Sequence, residues 1–320
     1  LMPGHLFDAV VDQDGDLIAA FQKAGVKIAN KNKIVDFGPL GQGPNDLDGF
    51  FTLCFYKGNL AVEGMAGKLK IFHKNGGKYF WKQTIWKQGG EFYHPVKDGK
   101  FIAGKWFFSG PDSHRIGKNK VRTYYLRVYN EKGKYIKSLI EEKKRIDKRI
   151  YMLIDYFLDE YKDSLLFISE YEPVLKIISP QSMEVKKEVI LEMPLYYKPM
   201  PEKNYFLGKE YLTKTHRQVV ATWAVWKTNY SRIERIAVDD NRLVLQIRTC
   251  SKDLKRYALL LYNLETFKLD RTVMTDDLLL AVKDGKYYLF ENGHPGYDDD
   301  AGDFVINIHQ FKETGKIEKK

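Results

Sequence analysis

The chain has 320 residues, 44% of them hydrophobic and 29% charged, a globular balance that excludes wholesale disorder. Its formal charge of +10 comes from lysines scattered among acids. No arginine-rich stripe or RNA-binding signature accompanies that charge, so nucleic acid is not an expected partner. No apolar run reaches the roughly 18 residues of a membrane-spanning helix. The chain opens on Leu1 rather than Met, and any signal peptide or lipid anchor would lie on a segment ahead of it.

The first pattern along the chain is Val10-Val-Asp-Gln-Asp-Gly-Asp-Leu-Ile18: an apolar run, an Asp-Gly turn and a second apolar run. Asp, Asn and Gly accept the positive φ of a tight hairpin, so this reads as two antiparallel strands. A second turn follows at 29–34, and the pair of turns then recurs about every 45 residues. The first kind returns at 54–62, 96–102, 158–166, 237–245 and 281–289. The second returns at 72–79, 129–135, 178–185, 262–269 and 311–317. Two hairpins make a four-stranded unit, and about six units fill the chain.

A unit that cannot bury its own apolar face must stack against its copies. The predicted architecture is therefore all-β: one domain over residues 1–320, a six-bladed β-propeller of four-stranded antiparallel blades. A β-sandwich is the main rival, but it rarely repeats two turns in one order. Inner strands are expected to begin near Phe7, Phe51, Phe92, Tyr151, Ile233 and Leu278. The one stretch that accommodates a helix is 202–230, inside an insertion at about 194–232 between blades four and five. Cys54 and Cys250 fall in the second and fifth units, on opposite sides of such a ring. They are expected to be unpaired and mostly buried.

In such a blade the turn between the first two strands shares a face with the turn between the last two. Those turns are short here. The middle turns and the connections between blades share the other face, which collects long segments at 38–49, 109–122, 194–232 and 292–303. Binding residues concentrate on long loops held by a rigid scaffold, so this face is the expected functional surface.

The first of those segments lies within Phe37-Gly-Pro-Leu-Gly-Gln-Gly-Pro-Asn-Asp-Leu47. It resembles the Gly-x-Gly-Pro-Gly-Glu-Phe signature of bacterial six-bladed β-propellers related to the NHL and TolB-like proteins. Asn45, Asp46 and Leu47 stand where that signature has Gly, Glu and Phe. Leu60-Ala-Val62 and Leu69-Lys-Ile-Phe72 also look like the family's next blade, and the likeness runs over residues 7–140. The resemblance implies an exported or lipid-anchored protein of the periplasm or cell surface, in a family whose members mostly have no assigned activity. From its residues alone the motif is a sharp turn between blades, with Asp46 placed to cap the turn's amides. A phosphate loop would need a Lys-Ser/Thr pair and a following helix, and neither is present.

Four histidines map to the loop-rich face: His94, His114, His216 and His294. A metal or acid–base cluster uses such side chains, but none has His-x-x-x-His spacing. The loop Asn292-Gly-His-Pro-Gly-Tyr-Asp-Asp-Asp-Ala-Gly-Asp303 offers the hard oxygens calcium favours, with Asp298, Asp300 and Asp303 as candidate ligands. It lacks the glutamate that closes an EF-hand loop, and a solvated charged loop is the alternative. Calcium is the one candidate cofactor. The insertion carries Tyr197, Trp223 and Trp226 among other aromatics, which either anchor a partner or form the insertion's own core. Arg115, with Lys118 and Lys120, adds positive charge that suits an anionic ligand or acidic partner.

No Gly-x-Ser-x-Gly elbow is present, and the carboxylates are too dispersed to nominate a catalytic pair. The expected function is a non-enzymatic binding or scaffold module for a protein, peptide or glycan. Its contact residues would be His114, Arg115, Tyr197, His216, Trp223, Trp226, His294 and Tyr297. The alternative is a metal-assisted, lactonase-like hydrolase or a lyase acting at the central channel. What lines the channel separates the two.

Overall fold

Apolar runs punctuated by positive-φ turns settle into antiparallel meanders, each strand pairing with the next along the chain. The computed structural model describes residues 6–21, 25–30, 33–37, 47, 52–64, 67–89, 98–115, 121–141, 155–201, 215–291, 305–311 and 317–319, which form six such meanders. Blade one comprises β1 (Leu6–Val11), β2 (Leu17–Phe21), β3 (Gly25–Asn30) and β4 (Lys33–Asp36). Blade two comprises β5 (Thr52–Tyr56), β6 (Asn59–Glu63), β7 (Lys68–Asn75) and β8 (Lys78–Trp86). Blade three is β9 (Gly99–Ile102), β10 (Lys105–Arg115), β11 (Val121–Asn130) and β12 (Tyr135–Glu141). Blade four is β13 (Tyr156–Tyr161), β14 (Ser164–Ser169), β15 (Val174–Ser179) and β16 (Glu184–Ile190). After α1 (His216–Asn229), blade five is β17 (Arg232–Asp239), β18 (Arg242–Arg248), β19 (Tyr257–Asn263) and β20 (Leu269–Thr275). Blade six is β21 (Leu278–Lys283), β22 (Lys286–Phe290), β23 (Ile306–Phe311) and β24 (Ile317–Lys319).

The first strand of each blade contacts the first strand of the next, and β21 returns to β1, so the inner strands close a ring. The core lies between blades rather than within them. Six buried clusters occupy the six blade interfaces; Ile18, Leu53, Leu60 and Phe72, for example, join blades one and two. Central strands are therefore buried on both faces, as in β19, while the outer strand β16 is exposed almost throughout. Phe37 and Leu47, which flank the Gly-Gln-Gly-Pro motif, both pack into the interface of blades one and two. The motif itself lies outside the described residues.

Five of the first hairpins close through two-residue turns whose first residue has positive φ: Lys57 (48°), Ala103 (50°), Lys162 (52°), Asp240 (53°) and Asp284 (51°). This mirror-image turn matches the right-handed twist of the strands it joins. Four of these five sit where the Asp-Gly-like punctuation predicts them, as does the longer loop of blade one between Val11 and Leu17.

Blade three departs from expectation. The Asp98-Gly99 turn expected within 96–102 does not form: Gly99–Ile102 is strand, the hairpin turns at Ala103 and Gly104, and the inner strand begins at Gly99 rather than near Phe92. A Cβ on Gly99 would stand 2.7 Å from the Phe108 ring and 3.0 Å from the Thr52 methyl, so this glycine permits close packing rather than a turn. The inner strand of blade four likewise starts at Tyr156 rather than near Tyr151. The other four begin within a residue of their expected positions. The expected loop at 109–122 is mostly strand as well: a bulge between Ser109 and Asp112 absorbs Gly110 (φ 141°) and Pro111, and pairing continues to Arg115 opposite Val121. Gly-Pro marks a bulge here, not a strand end.

Candidate binding face and channel

Strand connectivity sends the β2–β3 type turns and the inter-blade connections to one face, and the expected contact residues that are described belong to these segments. His114 and Arg115 end β10, opposite Arg122 and Val121, on the hairpin arm of blade three. His216 opens α1, and Trp223 and Trp226 lie within it. The helix starts where Thr215 and Gln218 cap one another: the Thr215 amide donates to Gln218 Oε1 (2.8 Å), and the Gln218 amide donates to Thr215 Oγ1 (3.3 Å). Tyr197, in the segment after β16, packs half-buried against the interface of blades four and five and donates its hydroxyl to the Tyr171 carbonyl (3.4 Å). Burial raises its phenol well above the ordinary value. His94, His294, Tyr297, Asp298, Asp300 and Asp303 lie outside the described residues.

Beneath the C-terminal end of α1 sits a charge cluster that sequence reading missed. Glu170 is 2% exposed and receives Lys227 at 3.2 Å and Arg232 at 3.6 Å, while Arg232 also holds Glu234 at 2.7 Å. A lysine in the last helical turn complements the helix dipole, and here it also reaches a buried acid. Burial raises the Glu170 carboxyl, opposed by Lys227 and Arg232. Burial lowers Arg248, and the nearby Arg232 charge adds to that effect. Glu170 is far in sequence from Lys227, Arg232 and Glu234, and the local signal is the pair of charges flanking Ile233 at the start of an inner strand.

The inner strands carry a second network. Arg235 of blade five donates to Asp8 of blade one at 3.1 Å, reaching past blade six, and Lys100 of blade three pairs with Asp159 of blade four at 2.9 Å. Each acid is also an inter-blade tie. Asp8 accepts the amide of Leu53 (2.8 Å), Asp98 that of Leu158 (2.8 Å) and Asp159 that of Val238 (2.7 Å). Gln246 does the same for Leu279 (2.9 Å). Burial, with the charges of Asp8 and Asp159, raises Asp98 to about 7 against the pull of Lys100 and the Leu158 amide. Lys100 is pushed up: burial would lower it, but Asp159 and Asp98 outweigh burial. A charge inside an apolar inner-strand run was the available signal.

The opposite face is plainer but not neutral. The Lys74 ammonium sits among Asp12 (2.6 Å), Asp14 (2.6 Å) and Asp16 (2.9 Å), and the Tyr79 hydroxyl also donates to Asp12 (2.6 Å). Cys54 is free and buried, Cys250 free and half-buried, and they lie in blades two and five as expected. Burial raises the Cys54 thiol far above its ordinary value, which makes it inert.

No protein-family model matches this chain, and no curated protein does. Solved structures do. A member of the DUF4221 family from Bacteroides vulgatus aligns over 97% of this chain and 94% of its own at 14% identity, with a TM-score of 0.57. A Bacteroides fragilis protein described as exported aligns over 90% of this chain and 79% of its own at 11% identity, with a TM-score of 0.54. At these identities the likeness is one of fold alone.

Proposed function

We propose that this six-bladed propeller is an extracytoplasmic binding or scaffold module that presents its loop-rich face, α1 and the blade-three arm above all, to a protein, peptide or glycan. The observation that carries the reading is the commitment of the inner-strand acids. Asp8, Asp98 and Asp159 each tie one blade to the next, and Asp8 and Asp159 also hold a cation. A general acid or base needs a carboxylate free to exchange a proton with substrate, and moving any of these three would loosen the ring. The motif resembling those of NHL and TolB-like propellers, and one structural neighbour described as exported, support the location. A calcium ion on Asp298, Asp300 and Asp303 belongs to the same reading as a stabiliser of the blade-six loop.

The test begins with a glycan array and a random-peptide display library screened against the whole chain. The ligand so selected is then titrated against Trp223→Ala and Trp226→Ala. The expected result is an affinity loss of about 2 kcal/mol, roughly 30-fold, at an unchanged thermal midpoint. Unchanged affinity with a collapsed midpoint would return both indoles to the core and sink the reading.

A further inference from the structure

The outer hairpin of blade two differs in chemistry from the rest. Between Gly64 and Gly90 the chain holds six lysines and no Asp or Glu. Every other outer hairpin carries acids: Asp36 in blade one, then Glu131, Glu184, Glu265 and Glu318 in blades three to six. The nine-residue β8 also bears Phe80, Trp81 and Trp86 at 47%, 39% and 55% exposure. Both indoles are held in place: Trp81 Nε1 donates to Thr84 Oγ1 (3.2 Å), and the Lys68 ammonium lies 5.0 Å from the Trp86 ring centroid. Large aromatic surface kept in water on a folded protein marks a contact site.

The backbone of the same strand offers the means of contact. The Lys87 amide donates inward to the Gly67 carbonyl (2.9 Å), so by alternation Gln88, Trp86 and Thr84 turn their peptide groups outward, the Trp86 carbonyl against the Gly133 backbone of blade three. Gln88 shows that this edge takes a strand. Its amide donates to the Gly133 carbonyl and its carbonyl accepts the Tyr135 amide, both at 2.8 Å, in a parallel bridge with blade three. A second copy of the chain fits poorly, because antiparallel self-pairing about the strand centre sets Lys82 against its own counterpart. The lysines that repel a copy attract an acid.

We propose that the outer edge of β8 takes an extended acidic peptide as a fifth strand of blade two, its backbone paired with Thr84 and with the Trp86 amide and its carboxylates beside the exposed Lys78 and Lys82. This surface is separate from the loop-rich face and stands or falls independently of it.

The experiment titrates the full chain with a fluorescent peptide of alternating Glu and Val, about eight residues long to match a strand. A Lys-Val peptide, heparin and an oligothymidylate serve as comparison probes. The Glu-Val peptide is expected to bind, to weaken as salt rises, and to slow hydrogen exchange at the Thr84 and Trp86 amides. Lys78→Glu with Lys82→Glu should weaken it about tenfold, the combined worth of two exposed ion pairs. Thr84→Pro, which removes an outward amide, should abolish binding at an unchanged fold; should that variant fail to fold, the exchange measurement on the unaltered chain decides alone. Absence of Glu-Val binding at roughly millimolar concentration overturns the proposal. So does binding of heparin or oligothymidylate without the peptide, and so does peptide binding that leaves exchange at Thr84 and Trp86 unchanged.

Discussion

Replacing Lys74 with Met removes the only cation shared by Asp12, Asp14 and Asp16 among the described residues while keeping a stem against Tyr79. Removing one member of a buried ion pair costs about 3–5 kcal/mol. Two features lower that figure. The Asp12 side chain, 4% exposed, keeps the Tyr79 hydroxyl and the amides of Asp14 (3.0 Å) and Asp16 (2.9 Å). Asp14, at 68% exposed, can turn to water, where such a pair is worth under about 1 kcal/mol. The expected loss is therefore about 2–3 kcal/mol at pH 7.

The pH dependence has a definite sign. Burial alone would raise the Asp12 carboxyl, but the hydrogen bonds from Lys74 and Tyr79 outweigh it and hold the group below its ordinary value. A depressed folded-state pKa stabilises the fold above the unfolded value of about 3.9 and ceases to do so as pH falls through the folded one. Lys74 is pushed up by its carboxylates against burial, so it stays charged below about pH 10 and the acid limit is set by the carboxylates. The gap between wild type and variant should be full at pH 7 and close steadily below about pH 4. Urea unfolding of both proteins at pH 7 and at about pH 2.5 measures it. Equal stability at pH 7, or a gap that persists undiminished in acid, would refute the reasoning.

Arg232→Met leaves Glu170 and Glu234 facing each other in a nearly dry site, and urea unfolding should register a loss of about 3–5 kcal/mol, with an unchanged midpoint counting against the cluster. Gly99→Ala should cost about 1–3 kcal/mol through collision with Phe108 and Thr52. Gly104→Ala, where φ is +72° and nothing lies within 4 Å, should cost about 1 kcal/mol through backbone strain alone. A Gly99→Ala protein as stable as wild type would restore the turn to the Asp98-Gly99 pair.

Local chemistry explains what could be read early. Asp284-Gly285 and Lys57-Gly58 are short-range signals, because a two-residue turn needs positive φ from the residues in it and from no others. The same locality misleads in blade three. Asp98-Gly99 has the composition of a turn, yet Asp98 is engaged by a blade-four amide and Gly99 by an aromatic ring of its own blade. Gly110-Pro111 punctuates a bulge for the same reason: pairing with β11 on both sides holds the strand together across it. The capping pair Thr215 and Gln218 was legible in principle and marks the helix start more sharply than periodicity did.

Residues and their near neighbours determine where this chain turns, how many strands it makes and that it must stack blade on blade, since those outcomes follow from φ preferences and alternating burial over a few positions. The sets that meet along the inner strands and under α1 could be decided only by ring closure. Asp8 and Arg235 are brought together by the return of blade six to blade one, and Glu170 and Lys227 by the position of the α1 C-terminus over the end of blade four. Partners so far apart in sequence leave no periodic trace; geometry alone makes them neighbours.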